Sequence, residues 1–234
     1  EILDEFCRAE PRARVYRNDQ NSGSTFRQWQ KGLRLARGRY VWIAESDDSA
    51  APDFLETLIA LLESNPEAVF AYAQSMMIDV KGKHLGLPLE WTNDLSTQRW
   101  LQAYVAPGRQ ELETALIHKN TIPNVSAVLF RNQPDLATLI DVDARLCGDW
   151  MTYVHLCRLG SVVFTPNPLN YWRQDSSNVR TRPSGVLEWQ EGQAVVRAAA
   201  GLLGYEHQAC EEAVARFLLR CKDWGLTLEN AVEP

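Results

Sequence analysis

The order of apolar and polar positions along the chain predicts an alternation of short buried strands and amphipathic helices. Continuous apolar runs at Tyr40–Ala44, Ala68–Tyr72 and Ser126–Arg131 are typical of strands that are buried on both faces. Apolar residues at helical spacing predict helices over residues 1–9, 24–36, 53–63 and 149–159, and shorter strands are predicted at 14–17, 76–79 and 162–164. This alternation predicts an α/β fold in which a mostly parallel sheet carries helices on both faces.

Two regions depart from the alternation. Residues 80–121 mix glycine, proline and polar residues with scattered tryptophan and tyrosine, which predicts a long, partly helical insertion of the kind that often carries substrate loops. Towards the C-terminus, amphipathic patterns predict helices at 186–203 and 207–223. We therefore expect one globular domain over residues 1–180 and a helical appendage over residues 186–234.

An acidic cluster follows the apolar run Val41–Ala44, at the point where the predicted strand ends. Glu45, Asp47 and Asp48 lie within four consecutive positions, and Pro52 then marks the start of a helix. Open α/β sheets bind ligands outside the carboxyl ends of their strands, where carboxylate oxygens can hold Mg²⁺ or Mn²⁺ and, through the cation, a diphosphate. The same residues also fit an acidic loop with a helix cap, because Asp and Ser are common before a helix that begins with proline.

The composition narrows the classes of function. The chain has 234 residues and a net charge of -6, which argues against a general nucleic-acid binder. The basic residues Arg27, Lys31 and Arg34 share one helical face and are explained as a solvated surface. Five cysteines and four histidines lack metal-ligand spacing, which indicates reduced thiols in a cytosolic protein. No segment of the sequence is long and apolar enough to span a membrane.

Four motifs in a fixed order resemble glycosyltransferase family 2. The stretch Asn21–Asp48, NSGSTFRQWQKGLRLARGRYVWIAESDD, is similar to the family's signature of a turn, a helix and a hydrophobic strand that ends in an Asp-x-Asp type motif. Its last part resembles a branch of the family that is common in bacterial surface-polysaccharide synthesis. The other motifs are Ile122–Arg131, similar to the acceptor-side strand, Cys147–Trp150, similar to a Gly-Asp motif at a helix start, and Leu169–Arg173, similar to a late Tyr-x-Arg segment.

The resemblance, which covers residues 1–180, implies a GT-A fold and an inverting, metal-dependent transfer of a sugar from a nucleotide-sugar donor to an acceptor hydroxyl. The final Asp of the family's acidic motif usually contacts the ion, so Asp48 is the expected ligand of Mn²⁺ or Mg²⁺. Asp47 is expected to orient the ribose or the donor sugar, and Glu45 to reach the metal through water or to fix the loop. Arg173 is a candidate contact of the diphosphate, whereas Arg131 is expected to pair with a carboxylate.

Asp149, in the Gly-Asp motif, is the candidate general base. The dipole of a helix favours the ionised form of an acid at its N-terminus, as a base requires, and Gly148 is expected to permit a tight turn there. Without the resemblance, a helix cap is the better explanation of Asp149. Trp150 is expected to stack on the acceptor sugar, with a position in the core as the alternative. No second carboxylate is identifiable as a nucleophile, which agrees with the inversion that the resemblance implies.

Two features depart from the family pattern. The chain opens at Glu1–Phe6, which matches the helix just after the family's nucleotide-binding Asp-Asp-x-Ser-x-Asp element, so we expect the upstream strands to be absent. They would lie between the strand at 14–17 and the strand Tyr40–Ala44. We expect unshown upstream residues, a partner segment or a domain-swapped homodimer to fill this gap. In addition, Asp175 stands where the family usually has a His that contacts phosphate.

Three hypotheses for the function remain after this comparison. The first is a glycosyltransferase with a glycan or lipid-linked acceptor, acting in the cytoplasm or at the inner face of the membrane in cell-surface polysaccharide synthesis. The second is a sugar nucleotidyltransferase, which would need a Gly-rich phosphate loop that the sequence does not display. The third is a non-catalytic binding or assembly module of the same fold. Specificity is expected to reside in residues 80–121 and in the upstream part.

Overall fold

The computed structural model describes residues 2–175 and 185–223. The helices are α1 Ile2–Ala9, α2 Thr25–Leu35, α3 Phe54–Ser64, α4 Gly108–Glu111, α5 Gly148–Cys157, α6 Gly185–Leu203 and α7 Gln208–Asp223. The strands are β1 Tyr40–Trp42, β2 Ser49–Ala50, β3 Ala68–Ile78, β4 His84–Gly86, β5 Tyr104–Ala106, β6 Val128–Arg131 and β7 Ser161–Arg173. The α/β class and the alternation of strands and helices are confirmed.

The strands form one mixed sheet in the order β1-β6-β3-β7-β2, with β4 added to β3 and β5 added to β7. β1 and β3 both pair with β6 in the antiparallel sense, and β3 pairs with β7 in parallel, so β1, β3 and β7 run in one direction. The expectation of a mostly parallel sheet is wrong in this respect, because β2, β4, β5 and β6 pair in antiparallel fashion. The insertion before β6 returns the chain to the end of the sheet at which β1 finishes. β6 starts there and therefore runs in the direction opposite to β1.

β3 lies in the middle of the sheet and packs on both faces. Phe70 and Tyr72 belong to the larger core, which α5, α6 and α7 cover, whereas Ala71 and Ala73 face α3 on the other side. Burial of both faces explains the continuous apolar run that predicted this strand. The larger core continues without a break into the C-terminal helices and reaches Phe217 on α7.

Several boundaries differ from their predictions. The predicted strand at 14–17 does not form, because these largely exposed residues find no strand to pair with in the described sheet. β7 is far longer than the predicted 162–164 and takes in the Tyr-x-Arg motif up to Arg173. The insertion at 80–121 is partly helical as predicted, but it also adds β4 and β5 to the sheet. The polar, Gly/Pro-containing sequence of residues 174–185 also predicts a loop or hinge, and this segment falls mostly outside the described residues.

The C-terminal helices lie close to their predicted positions at 186–203 and 207–223. They share one core with α5, and the proposed domain boundary near residue 180 lies outside the described residues. None of the helices in the described part of the chain combines the length and the apolar character that crossing a bilayer demands.

β1 forms an edge of the sheet. It pairs with β6 on one side, and no strand within residues 2–175 or 185–223 lies along its other side. The expected open edge is therefore present in this part of the protein. What covers it, whether upstream residues or a partner chain, stays a prediction.

Candidate active site

Three strands that run in the same direction bring polar residues to one edge of the sheet. Asp48 follows β1, Asp79 follows β3, and Arg173 is the last residue of β7. The backbone N–H of Arg173 donates to Oδ1 of Asp48 at 2.9 Å. Its guanidinium donates to the carbonyl oxygens of Asp47 at 2.7 Å and Asp79 at 2.9 Å. Arg173 therefore fixes the acidic loop to the ends of the other two strands.

The acidic cluster consists of Glu45, Asp47 and Asp48, as the sequence predicted. One carboxylate oxygen from each lies within 4.8 Å of the others, and only Asp47 is fully exposed. The backbone N–H of Glu45 donates to the hydroxyl of Ser126 at 3.1 Å, which holds the loop against the segment before β6. Three carboxylates at this spacing are the hard oxygen donors that Mg²⁺ or Mn²⁺ prefers. The donor set thus fits such an ion.

Asp48 accepts a hydrogen bond from the first of two buried side-chain amides that are bonded to each other. Nδ2 of Asn124 donates to Oδ2 of Asp48 at 2.5 Å. Nδ2 of Asn170 in turn donates to Oδ1 of Asn124 at 3.0 Å and to the hydroxyl of Ser75 at 2.9 Å. Burial raises the pKa of Asp48, and the backbone N–H of Arg173 opposes that rise. The amide chain therefore supplies donors to a carboxylate that has lost part of its hydration.

Asp149 lies in the first turn of α5 and is only 4% exposed. Its Oδ1 accepts the backbone N–H of Trp150 at 2.8 Å, and its Oδ2 accepts Nδ2 of Asn120 at 2.9 Å. The N-cap position itself belongs to Cys147, which makes no side-chain capping bond. Asp149 is therefore not the N-cap residue of α5, although its carboxylate does accept one backbone N–H of the first turn.

A single short segment contacts both acids. Asn120 holds Asp149, and Asn124, four positions later, holds Asp48. Pro123 lies between them in the sequence, and both Pro123 and Asp149 line the same cavity. The segment from Asn120 to Asn124 thus connects the acidic cluster to the buried Asp149 at the same edge of the sheet.

The start of α5 is fixed from two sides. A Cβ at position 148 would lie 2.8 Å from the ring of Phe26, so Gly148 is needed for close packing. The backbone φ of Gly148 does not lie in the left-handed region, so the tight turn expected from the sequence does not explain why a glycine stands there. On the other side, the carboxylate of Glu191 on α6 accepts the backbone N–H groups of Arg145, Leu146 and Cys147 at 2.7 to 2.9 Å.

A cavity of about 760 Å³ lies beside Asp149, between residues 85–91, residues 120–123 and the C-terminal helices. Trp150 and Trp172 contribute to its wall. Trp150 is 4% exposed and its indole N–H donates to the carbonyl of Leu116 at 2.7 Å, so most of this ring belongs to the core. Its stacking on an acceptor stays a prediction, as does the contact of Arg173 with a diphosphate.

Several polar partners escaped prediction. Asn124 lies within a motif that was recognised, but an amide there carries no signal of its own, and Asn120 and Glu191 lie outside every motif. Arg131 was expected to pair with a carboxylate, and this is wrong. Its guanidinium donates to the carbonyl of Ala68 at the start of β3, at 2.9 Å, and to that of Leu62 in the last turn of α3, at 2.8 Å.

The chain is similar to known proteins in sequence and in fold. Residues 1–111 match the family model described as glycosyl transferase family 2. Residues 1–111 belong to glycosyltransferase family 2. A curated relative of this family 2 chain is the glucosyl-dolichyl phosphate glucuronosyltransferase of Haloferax volcanii, 40% identical over 52 residues, which are 22% of this chain and 16% of the relative.

The fold of this family 2 chain is similar to that of S. aureus TarS. A crystal structure of TarS residues 1–349 superposes with a TM-score of 0.60 at 17% identity and covers 94% of this chain and 57% of that one. The complex of the same TarS segment with UDP-GlcNAc gives a TM-score of 0.61 at 16% identity, with 94% and 59% coverage. The chain thus spans less than two thirds of these proteins, and the similarity confirms the GT-A fold.

Proposed function

We propose that the protein transfers a sugar from a nucleoside-diphosphate sugar to an acceptor hydroxyl. The observation that carries this proposal is the segment from Asn120 to Asn124, which holds a buried carboxylate beside a cavity and an acidic cluster at the same sheet edge. Membership of family 2 supports it. So do the names of the similar proteins, since one is a glucuronosyltransferase and TarS was crystallised with UDP and with UDP-GlcNAc.

The donor side of the reaction is assigned to the acidic cluster. Asp48, with Asp47 and Glu45 beside it, would hold Mn²⁺ or Mg²⁺, which would neutralise the charge that develops on the departing diphosphate. Arg173 adds a positive charge to the same loop and keeps Asp47 and Asp48 in place through its bonds to them. Removal of Asp48 should therefore abolish transfer.

The acceptor side is assigned to Asp149. As the acceptor oxygen attacks the anomeric carbon, its proton passes to a carboxylate oxygen of Asp149, and the bond between that carbon and the diphosphate oxygen breaks. The amide of Asn120 and the N–H of Trp150 hold this carboxylate in place by hydrogen bonds of 2.9 and 2.8 Å. One displacement of this kind inverts the anomeric configuration.

Product stereochemistry tests the inverting course. Glu90 and Glu188 also line the cavity, and a carboxylate that reached the anomeric carbon would form a covalent intermediate and give retention. Proton NMR of the first product should show the anomeric configuration opposite to that of the donor. Retention would instead remove the single-displacement proposal and make Glu90 and Glu188 the residues to replace next.

Asp149→Asn tests the base directly. The amide keeps the shape of the side chain but cannot take a proton at neutral pH, so transfer should fall by about a hundredfold or more while donor binding is retained. Asp53→Asn is the matched control, because Asp53 also stands at a helix start, is exposed and makes no capping bond. If Asp149→Asn lowers only thermal stability, or if pyrophosphate rather than a nucleoside diphosphate is released, the proposal fails and the binding-module or nucleotidyltransferase hypothesis replaces it.

The biological product is proposed to be a cell-surface polysaccharide, made in the cytoplasm or at the inner face of the membrane. The acceptor is proposed to be a glycan or a lipid-linked sugar, and the name of the Haloferax relative, which acts on a sugar linked to dolichyl phosphate, supports the second class. Product analysis with membrane-extracted and water-soluble acceptors tests this assignment.

A further inference from the structure

The cavity beside Asp149 is mainly apolar. Leucines at positions 85, 87 and 89 and the rings of Trp91 and Phe217 make up much of its wall. Leu85 is 51% exposed and Trp91 is 46% exposed. A sugar ring alone would leave this hydrocarbon surface wet, whereas a ligand with an apolar part would cover it.

Trp91 is exposed but firmly held. Its indole N–H donates to the carbonyl oxygen of Asn120 at 2.6 Å. The ammonium of Lys119 lies 4.4 Å from the centroid of the ring, donates to the carbonyl of Trp91 at 2.7 Å and pairs with Asp94 at 2.9 Å. A ring that is already fixed in place loses little freedom when a ligand covers it, which favours binding.

The position of this ring is coupled to that of the base. The backbone carbonyl of Asn120 accepts the indole N–H of Trp91, and the side-chain amide of the same residue donates to Asp149. One residue therefore sets the separation between an exposed aromatic ring and a buried carboxylate in a common cavity. This arrangement suits a ligand that presents a hydroxyl at one end and an apolar group at the other.

We propose that Trp91, with Leu85 beside it, binds an apolar alkyl or aryl aglycone of the acceptor, so that the preferred acceptor is a glycoside and not a free sugar. The proposal rests on the assignment of Asp149 as the base in the proposed function. It gives the acceptor contact to Trp91, whereas Trp150, which was the candidate from sequence, acts mainly as part of the wall.

Calorimetry with octyl and methyl glycosides of the same sugars, below the micelle concentration, tests the aglycone site without any transfer. The octyl glycoside should bind at least about tenfold more tightly than the methyl glycoside. Trp91→Ala should remove most of this difference, Trp91→Phe should keep most of it, and Leu85→Ser should reduce it. Leu101→Ser is the matched control, because Leu101 is 46% exposed and lies outside the cavity wall, so the difference should be unchanged.

The outcomes separate this inference from the proposed function. Equal binding of octyl and methyl glycosides by the unmodified protein, or a preference that survives Trp91→Ala, overturns the aglycone site even if sugar transfer is observed. A preference that depends on Trp91 in a protein that transfers no sugar leaves the aglycone site in place and removes the glycosyltransferase proposal.

Discussion

Replacing Asn124 with alanine removes the amide on which Asp48 depends. The deleted Nδ2–H donates to Oδ2 of Asp48 at 2.5 Å, and the deleted Oδ1 accepts from Asn170, which is fully buried. A hydrogen bond to a charged group contributes about 1.5–3 kcal/mol net, and a buried group left with fewer partners adds to the loss. We expect Asn124→Ala to lower the free energy of unfolding at neutral pH by about 2–4 kcal/mol.

The size of this loss should depend on pH. Burial already places the pKa of Asp48 above its ordinary value of 3.8, and removal of a donor to the ionised form raises the pKa further. A raised pKa means that ionisation opposes folding, so the extra penalty is complete above the folded pKa and absent below the unfolded one. Because a neutral hydrogen bond contributes about 0.5–1.5 kcal/mol, the loss should shrink by about 1–1.5 kcal/mol once Asp48 is protonated.

Urea denaturation at about pH 3, below the unfolded pKa of Asp48, and at about pH 7.5 measures the loss without and with the extra penalty. Asn132→Ala is the matched control, since its amide donates to the neutral carbonyl of Gly38 at 2.7 Å and its loss should not vary with pH. In an Asp48→Asn background, the cost of Asn124→Ala at about pH 7.5 should fall by about 1–1.5 kcal/mol. The reasoning would be refuted if Asn124→Ala lowered the free energy of unfolding equally at both pH values and if Asp48→Asn did not reduce that loss.

Substitutions at two further positions, Glu191 and Gly108, test how α5 is held. Glu191→Ala deletes the acceptor of three backbone N–H groups and should cost about 2 kcal/mol, whereas Glu191→Gln, which keeps an acceptor oxygen, should cost less in the same urea titration. Gly108→Ala would place a Cβ in steric clash with the backbone carbonyl of Cys157 and should lower stability by about 3 kcal/mol or more. Gly32→Ala, with open space in α2, should raise it by up to about 1 kcal/mol. A tolerated Gly108→Ala would contradict the observed contact between α4 and the end of α5.

The parts of the fold that the sequence predicted well are those with a strong local pattern. β3 is buried on both faces, so its apolar run had no rival interpretation. The cluster from Glu45 to Asp48 could be placed at a strand end because it directly follows an apolar run that predicts a strand. In contrast, residues 14–17 have the composition of a strand, but a strand needs a neighbour, and that need cannot be seen in the segment itself.

The candidate site was predicted through its acids and not through their partners. Carboxylates at a strand end or a helix start indicate a ligand site, whereas an asparagine in a loop is equally typical of a turn. Asn120 and Asn124 gain their meaning only from the distances that join them to Asp149 and Asp48. The same holds for Glu191, which acts across more than forty residues of sequence on the loop before α5.

The antiparallel direction of β6 was not part of the expected, mostly parallel sheet, and it is this direction that places Asn124 near Asp48. In a parallel arrangement, β6 would begin at the edge of the sheet opposite to the end of β1, and the residues before it could not reach Asp48. Because β6 is antiparallel, with Trp42 opposite Leu129, its first residues lie beside the end of β1. The direction of this one strand therefore brings Asn124 to the acidic cluster. It is also the reason that one short segment, from Asn120 to Asn124, can contact both Asp149 and Asp48.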